Sequence, residues 1–243
     1  MKAMILAAGL GTRLRPLTDD RPKALVEVGG RTMLEITLER LRKFGVNEVI
    51  INTHHFADRV QGYLEAKKNF GMRIEISREE TLLDTGGGLK KASHFFLGAN
   101  CQEPFLLHNV DVISTIDLAR MVSFHSESGA LATLAVQARP TSRPLLFDQN
   151  RHFRGRANHG GSMEEPGVQA LAFSGIHVLS PRIFEKISEE GAFSIIDSYV
   201  RLASAGEKIV AFRADEYYWR DLGRPENITQ ATRDLASGQF SFD

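Results

Sequence analysis

The stretch Met4-Ile5-Leu6-Ala7-Ala8-Gly9-Leu10-Gly11-Thr12-Arg13-Leu14-Arg15-Pro16-Leu17-Thr18, followed by Arg21-Pro22-Lys23, decides how this chain is read. An apolar strand runs into a glycine loop, and the loop carries fixed cations. Gly9 and Gly11 let the backbone come close to a ligand, with amide groups turned toward phosphate oxygens. Arg13 can fork onto two such oxygens. Pro22 biases Arg21 toward extended backbone, which aims Lys23 back at the same place. The expected site is a triphosphate cradle made of Leu6, Ala7, Ala8, Gly9, Gly11, Thr12, Arg13 and Lys23. Two other glycine loops are excluded. The dinucleotide fingerprint needs a third glycine where Leu14 stands, and the Walker loop needs a Gly-Lys-Ser/Thr that is absent.

Outward from this loop, strands and helices alternate, which predicts an α/β, Rossmann-like, mostly parallel sheet flanked by helices. Expected strands are Lys2–Ala7, Glu48–Asn52, Met72–Ser77, Pro104–His108, Leu131–Ala138, Leu171–Leu179, Lys208–Phe212 and Tyr217–Trp219. Expected helices are Leu34–Phe44, ended by Gly45, then Ala57–Lys68, Gly87–Phe95, Ile116–Ser126, Ile195–Ser204 and Pro225–Ala236, with Pro225 in the first turn of the last. Between Arg139 and Val168 the rhythm breaks into Gly, Pro, Arg and Asn residues with short apolar runs, which reads as a hairpin-and-loop insert. The whole chain is expected to be one domain in two parts, about 1–138 and about 139–243, which the resemblance given below implies for the nucleotide and the sugar respectively. The tail Gly238–Asp243 reads as loose.

The 30 basic and 30 acidic side chains balance, so no nucleic-acid or membrane surface is expected. No apolar run is long enough to span a bilayer, and the N-terminus reads as a strand rather than a signal peptide. The lone cysteine, Cys101, cannot form an intrachain disulfide, which fits a reducing cytoplasm. It lies in a polar connector and is a poor nucleophile candidate. A monomer and a homodimer are both compatible with the sequence.

In open α/β sheets, ligands bind beyond the carboxyl ends of strands. Asp111 follows the strand Phe105-Leu106-Leu107, and Asp221 follows a second one at Tyr218-Trp219-Arg220. Magnesium takes hard oxygen ligands, commonly one or two carboxylates plus phosphate oxygens and water. One aspartate from each half of the chain would bracket such an ion. Asp117 stands where a helix begins and reads as its cap. His54-His55 lacks the spacing of a metal pair, and His108 reads either as a site neighbour or as a packed strand-end histidine. After the third strand, Glu79 to Gly88 forms a glycine-rich loop in which Glu79 can accept from uracil or equally from guanine, with Thr85 and Gly86 adding contacts.

The loop, Pro22-Lys23, Asn109-Val110-Asp111 and Trp219-Arg220-Asp221-Leu222-Gly223 together resemble the sugar-1-phosphate nucleotidyltransferases. The resemblance is strongest to the short bacterial N-acetylmuramate 1-phosphate uridylyltransferases, which share an acidic residue before Thr-Gly-Gly-Gly and a Phe-Ser-Gly-Ile run, here Phe173 to Ile176. It implies a nucleoside triphosphate and a sugar 1-phosphate as substrates, Mg2+ on Asp111 and Asp221, catalytic cations at Arg13 and Lys23, and substrate contacts at Asn109, Gly175 and Asp221. It also implies UTP and N-acetylmuramic acid 1-phosphate, and so a part in cell-wall recycling. The chain departs from the family at Val110, where relatives often carry Gly, and at Asp84, which replaces a Gly. It lacks the Glu-Lys-Pro motif. Arg151, Arg154 and Arg156 are candidate stand-ins for that motif, or else solvated hairpin charges. A mannose- or heptose-1-phosphate guanylyltransferase is the rival substrate reading. A noncatalytic nucleotide-sugar-binding subunit is the rival of another class, and the presence of both cations and both aspartates argues against it.

Overall fold

The computed structural model describes residues 1–98, 102–157 and 166–242; Cys101 lies outside them. In chain order the strands are β1 (Lys2–Leu6), β2 (Glu27–Val28), β3 (Arg31–Thr32), β4 (Glu48–Thr53), β5 (Arg73–Arg78), β6 (Phe105–Asn109), β7 (Val112–Ser114), β8 (Ala132–Gln137), β9 (Leu145–Phe147), β10 (Phe153–Arg156), β11 (Gln169–Leu179), β12 (Ile209–Arg213) and β13 (Trp219–Asp221). The helices are α1 (Met33–Lys43), α2 (Ala57–Ala66), α3 (Asp84–Lys91), α4 (Ser93–Phe96), α5 (Leu118–Ser128), α6 (Ile183–Lys186), α7 (Ile195–Ser204) and α8 (Pro225–Ala236).

Nine strands form one sheet in the order β10-β9-β11-β6-β1-β4-β5, with β8 on β11 and β12 on β8. β1 is central and pairs in parallel with β4 and β6, and β4 pairs in parallel with β5. The chain first winds to the β4–β5 side and then returns to β6 on the other. That reversal opens a crevice at the carboxyl ends of β1 and β6. Both faces are covered, and the strands alternate between them. Ala3, Ile5, Val49, Ile51 and Leu106 pack toward α1 and α2, whereas Met4, Ile50, Phe105 and Leu107 pack toward α3, α4 and α7.

Local signals explain the helix ends. Thr32 caps α1 by accepting from Glu35 N at 3.1 Å, and Gly45, at φ +77°, stops it. The expected cap at Asp117 is present, accepting from Arg120 N at 2.9 Å. Leu34, Leu38 and Leu41 of α1 are fully buried, each contributing about 2 kcal/mol relative to exposure.

The expected insert contains the antiparallel hairpin β9–β10, laid on the first half of β11. Two expectations are corrected. The helix expected from Gly87 begins three residues earlier, at Asp84, so Gly86 joins Gly87 and Gly88 in α3. A Cβ on Gly86 would lie 2.2 Å from the Phe193 ring, and one on Gly87 would lie 2.3 Å from Gly191 O. The tail is docked: Phe240 is 6% exposed and stacks on Tyr218 with centroids 4.4 Å apart, while Lys43 Nζ donates to Phe242 O at 2.6 Å.

Candidate active site

The crevice predicted by the strand order holds a cleft of about 510 Å³. Leu6, Ala7, Ala8, Gly9, Lys23, Glu79, Thr85, Asn109 and Asp111 line it, all of them expected from sequence. A Cβ on Gly9 would meet no protein atom within 4 Å, so internal packing does not require glycine there, and its bare backbone faces open space. Gly11 is different. Its φ is +65°, and a Cβ would sit 3.1 Å from that of Lys23, so the turn and the lysine's placement both depend on it. Thr18 Oγ1 fixes the loop by donating to Gly11 O at 2.9 Å. Thr12 is exposed and opens a short 3-10 turn with Arg13.

The two aspartates meet through a small antiparallel ribbon. β7 begins directly after Asp111, β13 ends at Asp221, and Asp221 pairs with Val112. Leu222 N donates to Asp111 O at 2.8 Å, which locks the two segments together. Asp221 is thus the last residue of a ribbon strand, rather than a residue beyond a strand of the main sheet as the sequence suggested. Lys23 Nζ forms an ion pair with Asp111 Oδ2. Asp221 Oδ1 accepts from Gly223 N at 2.6 Å. A Cβ on Gly223 would lie 2.7 Å from that oxygen and 2.8 Å from Arg13 Nη2, so the residue must be glycine for Arg13 and Asp221 to share this corner. On the far wall, Gly175 has φ +75°, and a Cβ there would lie 3.0 Å from Asn109 Nδ2, which brings those two expected substrate residues together.

Asn52 was not singled out from sequence, although it ends an apolar strand just as Asp111 follows one. It is 3% exposed; its Oδ1 accepts from Ala7 N at 2.7 Å and its Nδ2 donates to Glu79 Oε1 at 2.7 Å. Glu79 Oε2 accepts from Leu83 N at 3.0 Å. Glu79, 2% exposed, therefore holds the cleft wall together, and only its remaining lone pairs are free for a base. Asp84 has φ +56°, a left-handed conformation natural to the Gly it replaces and tolerated by Asp. Thr85 Oγ1 accepts from Ile195 N at 3.0 Å. Gly86 does not line the cleft. It is buried, and its amide donates to Phe193 O at 2.9 Å.

His108 is a packed residue. It is fully buried, Nδ1 lies 2.8 Å from Asn109 O, and burial, with Arg40 adding to it, holds its imidazolium down to about 4. The three candidate arginines of the insert separate. Arg151 lines a different cavity beside Arg120, Phe212 and Arg213. Arg154 faces Asp148 at 3.5 Å, and Arg156 faces Asp197 at 2.9 Å and Ser194 Oγ at 3.4 Å. Only Arg156 reaches a segment that adjoins the cleft, at Ala192.

Among the described residues no group of three or more His, Cys, Asp or Glu side chains is arranged to hold a metal ion. Asp111, in the turn before β7, and Asp221, at the end of β13, are hard carboxylates of the kind that hold a magnesium ion together with phosphate and water, and Lys23 would have to leave Asp111 for such an ion to bind there. Among the described residues no helix is long and apolar enough to cross a membrane.

Comparison with known proteins agrees with this geometry. A model of the nucleotidyl transferase family matches residues 2–238. The chain is 34% identical to N-acetylmuramate alpha-1-phosphate uridylyltransferase of Caulobacter vibrioides, covering 96% of both chains. It is 29% identical to UTP–glucose-1-phosphate uridylyltransferase of Synechocystis and 30% identical to the catalytic subunit beta of mannose-1-phosphate guanylyltransferase of Dictyostelium discoideum, spanning 64% and 62% of their lengths. In fold it is similar to UDP-glucose pyrophosphorylase of Acinetobacter baumanii (TM-score 0.80, 21% identity, 98% of this chain and 94% of that one) and to HddC of Yersinia pseudotuberculosis with GMP-PN (TM-score 0.76, 24% identity, 96% and 98%). The chain belongs to the nucleotidyl transferase family, and within it to the sugar-1-phosphate nucleotidyltransferases.

Proposed function

We propose that the chain transfers a uridylyl group from UTP to N-acetylmuramic acid 1-phosphate, releasing pyrophosphate, as a Mg2+-dependent cytoplasmic enzyme that feeds recycled cell-wall sugar back into synthesis. The observation that supports the reaction class is that the start of the glycine loop, Lys23 and Asp111 line one crevice, with Asp221 tied to Asp111 through Leu222 and Arg13 held near Asp221 at Gly223. The substrate choice is supported by the likeness to the Caulobacter enzyme over nearly the full length of both chains. We further propose that residues 1–138 serve the nucleotide and residues 139–243 the sugar, and that the protein acts as a monomer or homodimer.

In this mechanism a phosphate oxygen of the sugar 1-phosphate attacks the α-phosphorus in line. The new P–O bond forms as the bond from the α-phosphorus to the oxygen bridging to the β-phosphate breaks, and pyrophosphate leaves with that electron pair. The nucleophile is already an anion, so no strong general base is required. The protein contributes positioning and neutralisation of charge. The amides of Ala8, Gly9 and Gly11 and the Arg13 guanidinium receive the phosphate chain, and Lys23 turns from Asp111 toward the α-phosphate. Asn109 and Gly175 receive the sugar, and Thr85 with the free lone pairs of Glu79 receives the base. Asp111 and Asp221 would hold Mg2+, which when bound supplies positive charge to the phosphates of both substrates. Arg156 supplies the cation for the lactyl carboxylate. Substituting it therefore raises KM for the muramic substrate more than for glucose 1-phosphate.

The test is a matrix of nucleoside triphosphates against sugar 1-phosphates, read by pyrophosphate release. UTP with the muramic substrate is expected to give the highest kcat/KM. A preference for GTP with mannose or heptose 1-phosphate overturns the substrate assignment, and no release from any pair overturns catalysis in favour of a binding subunit.

A further inference from the structure

β11 carries a bulge at its centre. Phe173 pairs with Val136 and His177 with Leu134, so three residues of β11 stand opposite one of β8. Gly175, at φ +75°, makes the bend. The bulge leaves the carbonyls of Phe173 and Ser174 outside the ladder, and two side chains from distant parts of the chain take them. Arg139 Nη2 donates to Phe173 O at 2.7 Å, and Trp219 Nε1 donates to Ser174 O at 2.7 Å. The Arg139 guanidinium lies 3.5 Å from the centre of the Trp219 ring, a half-buried cation–π stack. Trp219 and Asp221 are two apart on β13 and share a face, so the stack holds the guanidinium within electrostatic reach of Asp221.

This cation is unusually placed. Burial works against its charge, Asp221 supports it, yet it forms no ion pair with any carboxylate among the described residues. Its Nε is buried without a partner. Of the other cations of the site, Lys23 is paired with Asp111, and Arg13 is exposed at the corner of Gly223 and Asp221. A sugar phosphate approaching the two aspartates from the side of Gly175 and Asn109 meets two like charges, and a cation on that side offsets them.

We infer that Arg139 is a further substrate-binding residue, supplying the guanidinium that receives the 1-phosphate of the acceptor sugar beside Asp221. The inference rests on the nucleotidyl-transfer reading above. It assigns Arg139 to the acceptor's phosphate, not to the nucleotide and not to a ring substituent.

Arg139→Gln and Arg139→Lys are compared with the wild type by steady-state kinetics on both substrates and by calorimetric titration of the sugar 1-phosphate into the metal-loaded enzyme. Loss of a charge-assisted contact raises KM and Kd for the acceptor about ten- to a hundredfold in Arg139→Gln. Arg139→Lys gives a smaller increase, because it keeps the charge but loses the stack. KM for the triphosphate stays within about twofold. The increase is the same for glucose 1-phosphate and the muramic compound. A residue that merely props Trp219 would instead lower kcat with both KM values unchanged or raised together, and that result overturns the inference. An increase confined to the carboxylate-bearing acceptor overturns the phosphate assignment. Absence of turnover and of acceptor binding in the wild type overturns the parent reading, and this inference with it. Wild-type turnover with an unaltered acceptor KM in Arg139→Gln overturns this inference alone.

Discussion

Asn52 shows how much of the site depends on one buried amide. It ties the first residue of the phosphate loop to the wall that carries Glu79, using both its oxygen and its nitrogen. Asn52→Ala leaves Ala7 N and Glu79 Oε1 without these partners, at a cost of about 1–3 kcal/mol. The expected result is a lower denaturation midpoint together with a raised KM for the triphosphate, and an unchanged KM would remove Asn52 from the nucleotide site. Arg13 and Lys23 act where charge changes. Arg13→Ala or Lys23→Ala is expected to lower kcat on the order of a hundredfold or more while altering KM less. Unchanged turnover in either variant would mark that residue as a surface cation. The loop cations and Asp111 were legible in the sequence because their chemistry lies in one short run or at a strand end. Asn52 sits at a strand end too, but its role is visible only once β1 and β4 are paired. Arg139 was legible only as one of many charges, because Trp219 and Phe173 come to it through the fold.

At the scale of elements, the first half reads well because apolar strands and capped helices follow local rules; Asp117, Gly45 and Pro225 stand where those rules put them. The start of α3 is read too late because glycine has a low helix propensity that tertiary packing overrides: the helix lies close against Gly191 and Phe193. Gly87→Ala pushes a methyl against a backbone carbonyl that has little room to move, and about 1–3 kcal/mol of stability is lost. An unchanged denaturant midpoint would refute that packing role. The tail misleads in the other direction. Its place at the chain end suggests fraying, but Phe240 and Phe242 anchor it against Tyr218 and Arg31. Tyr218 and Arg220 both bind the buried Asp234 of α8, so tail and helix together brace the strand that ends in Asp221. Phe240→Ala is expected to destabilise the protein by about 3 kcal/mol and to lower kcat, measured by thermal melts and initial rates.

The whole molecule carries a pH signature apart from its chemistry. His108 and His125 are held to about 4 and His177 to about 3, in each case chiefly by burial. Unfolded, each takes up a proton near 6.5, so between 6.5 and these folded values the unfolded chain binds more protons. Stability contributed by the neutral imidazoles is complete above 6.5 and falls as the pH drops through 4. Each contributes on the order of 3 kcal/mol, and thermal melts at pH 7 and pH 4.5 should show a marked loss at the lower value. Replacing His125 by Gln, which puts a polar, non-titrating amide beside Thr133 in place of the ring nitrogen, is expected to flatten that dependence; an unaltered slope would contradict it. The architecture itself was readable from the alternation of elements, and the switch point between β1 and β6 then locates the crevice. On the side we propose for the sugar, Asn109, Gly175 and Asp221 were legible by resemblance, but the bulge, the ribbon and the stacked arginine that bring them together were not, because no local pattern announces them. The central claim is that Asp111 and Asp221 together support metal-dependent nucleotidyl transfer in that crevice. It is tested most directly by the rate of pyrophosphate release from UTP and N-acetylmuramic acid 1-phosphate by the wild type, Asp111→Asn and Asp221→Asn, with Mg2+ and with excess chelator. The account predicts turnover only for the wild type with Mg2+, with both variants folded and nearly inactive. Wild-type-like rates in either variant, or full activity in chelator, would contradict it.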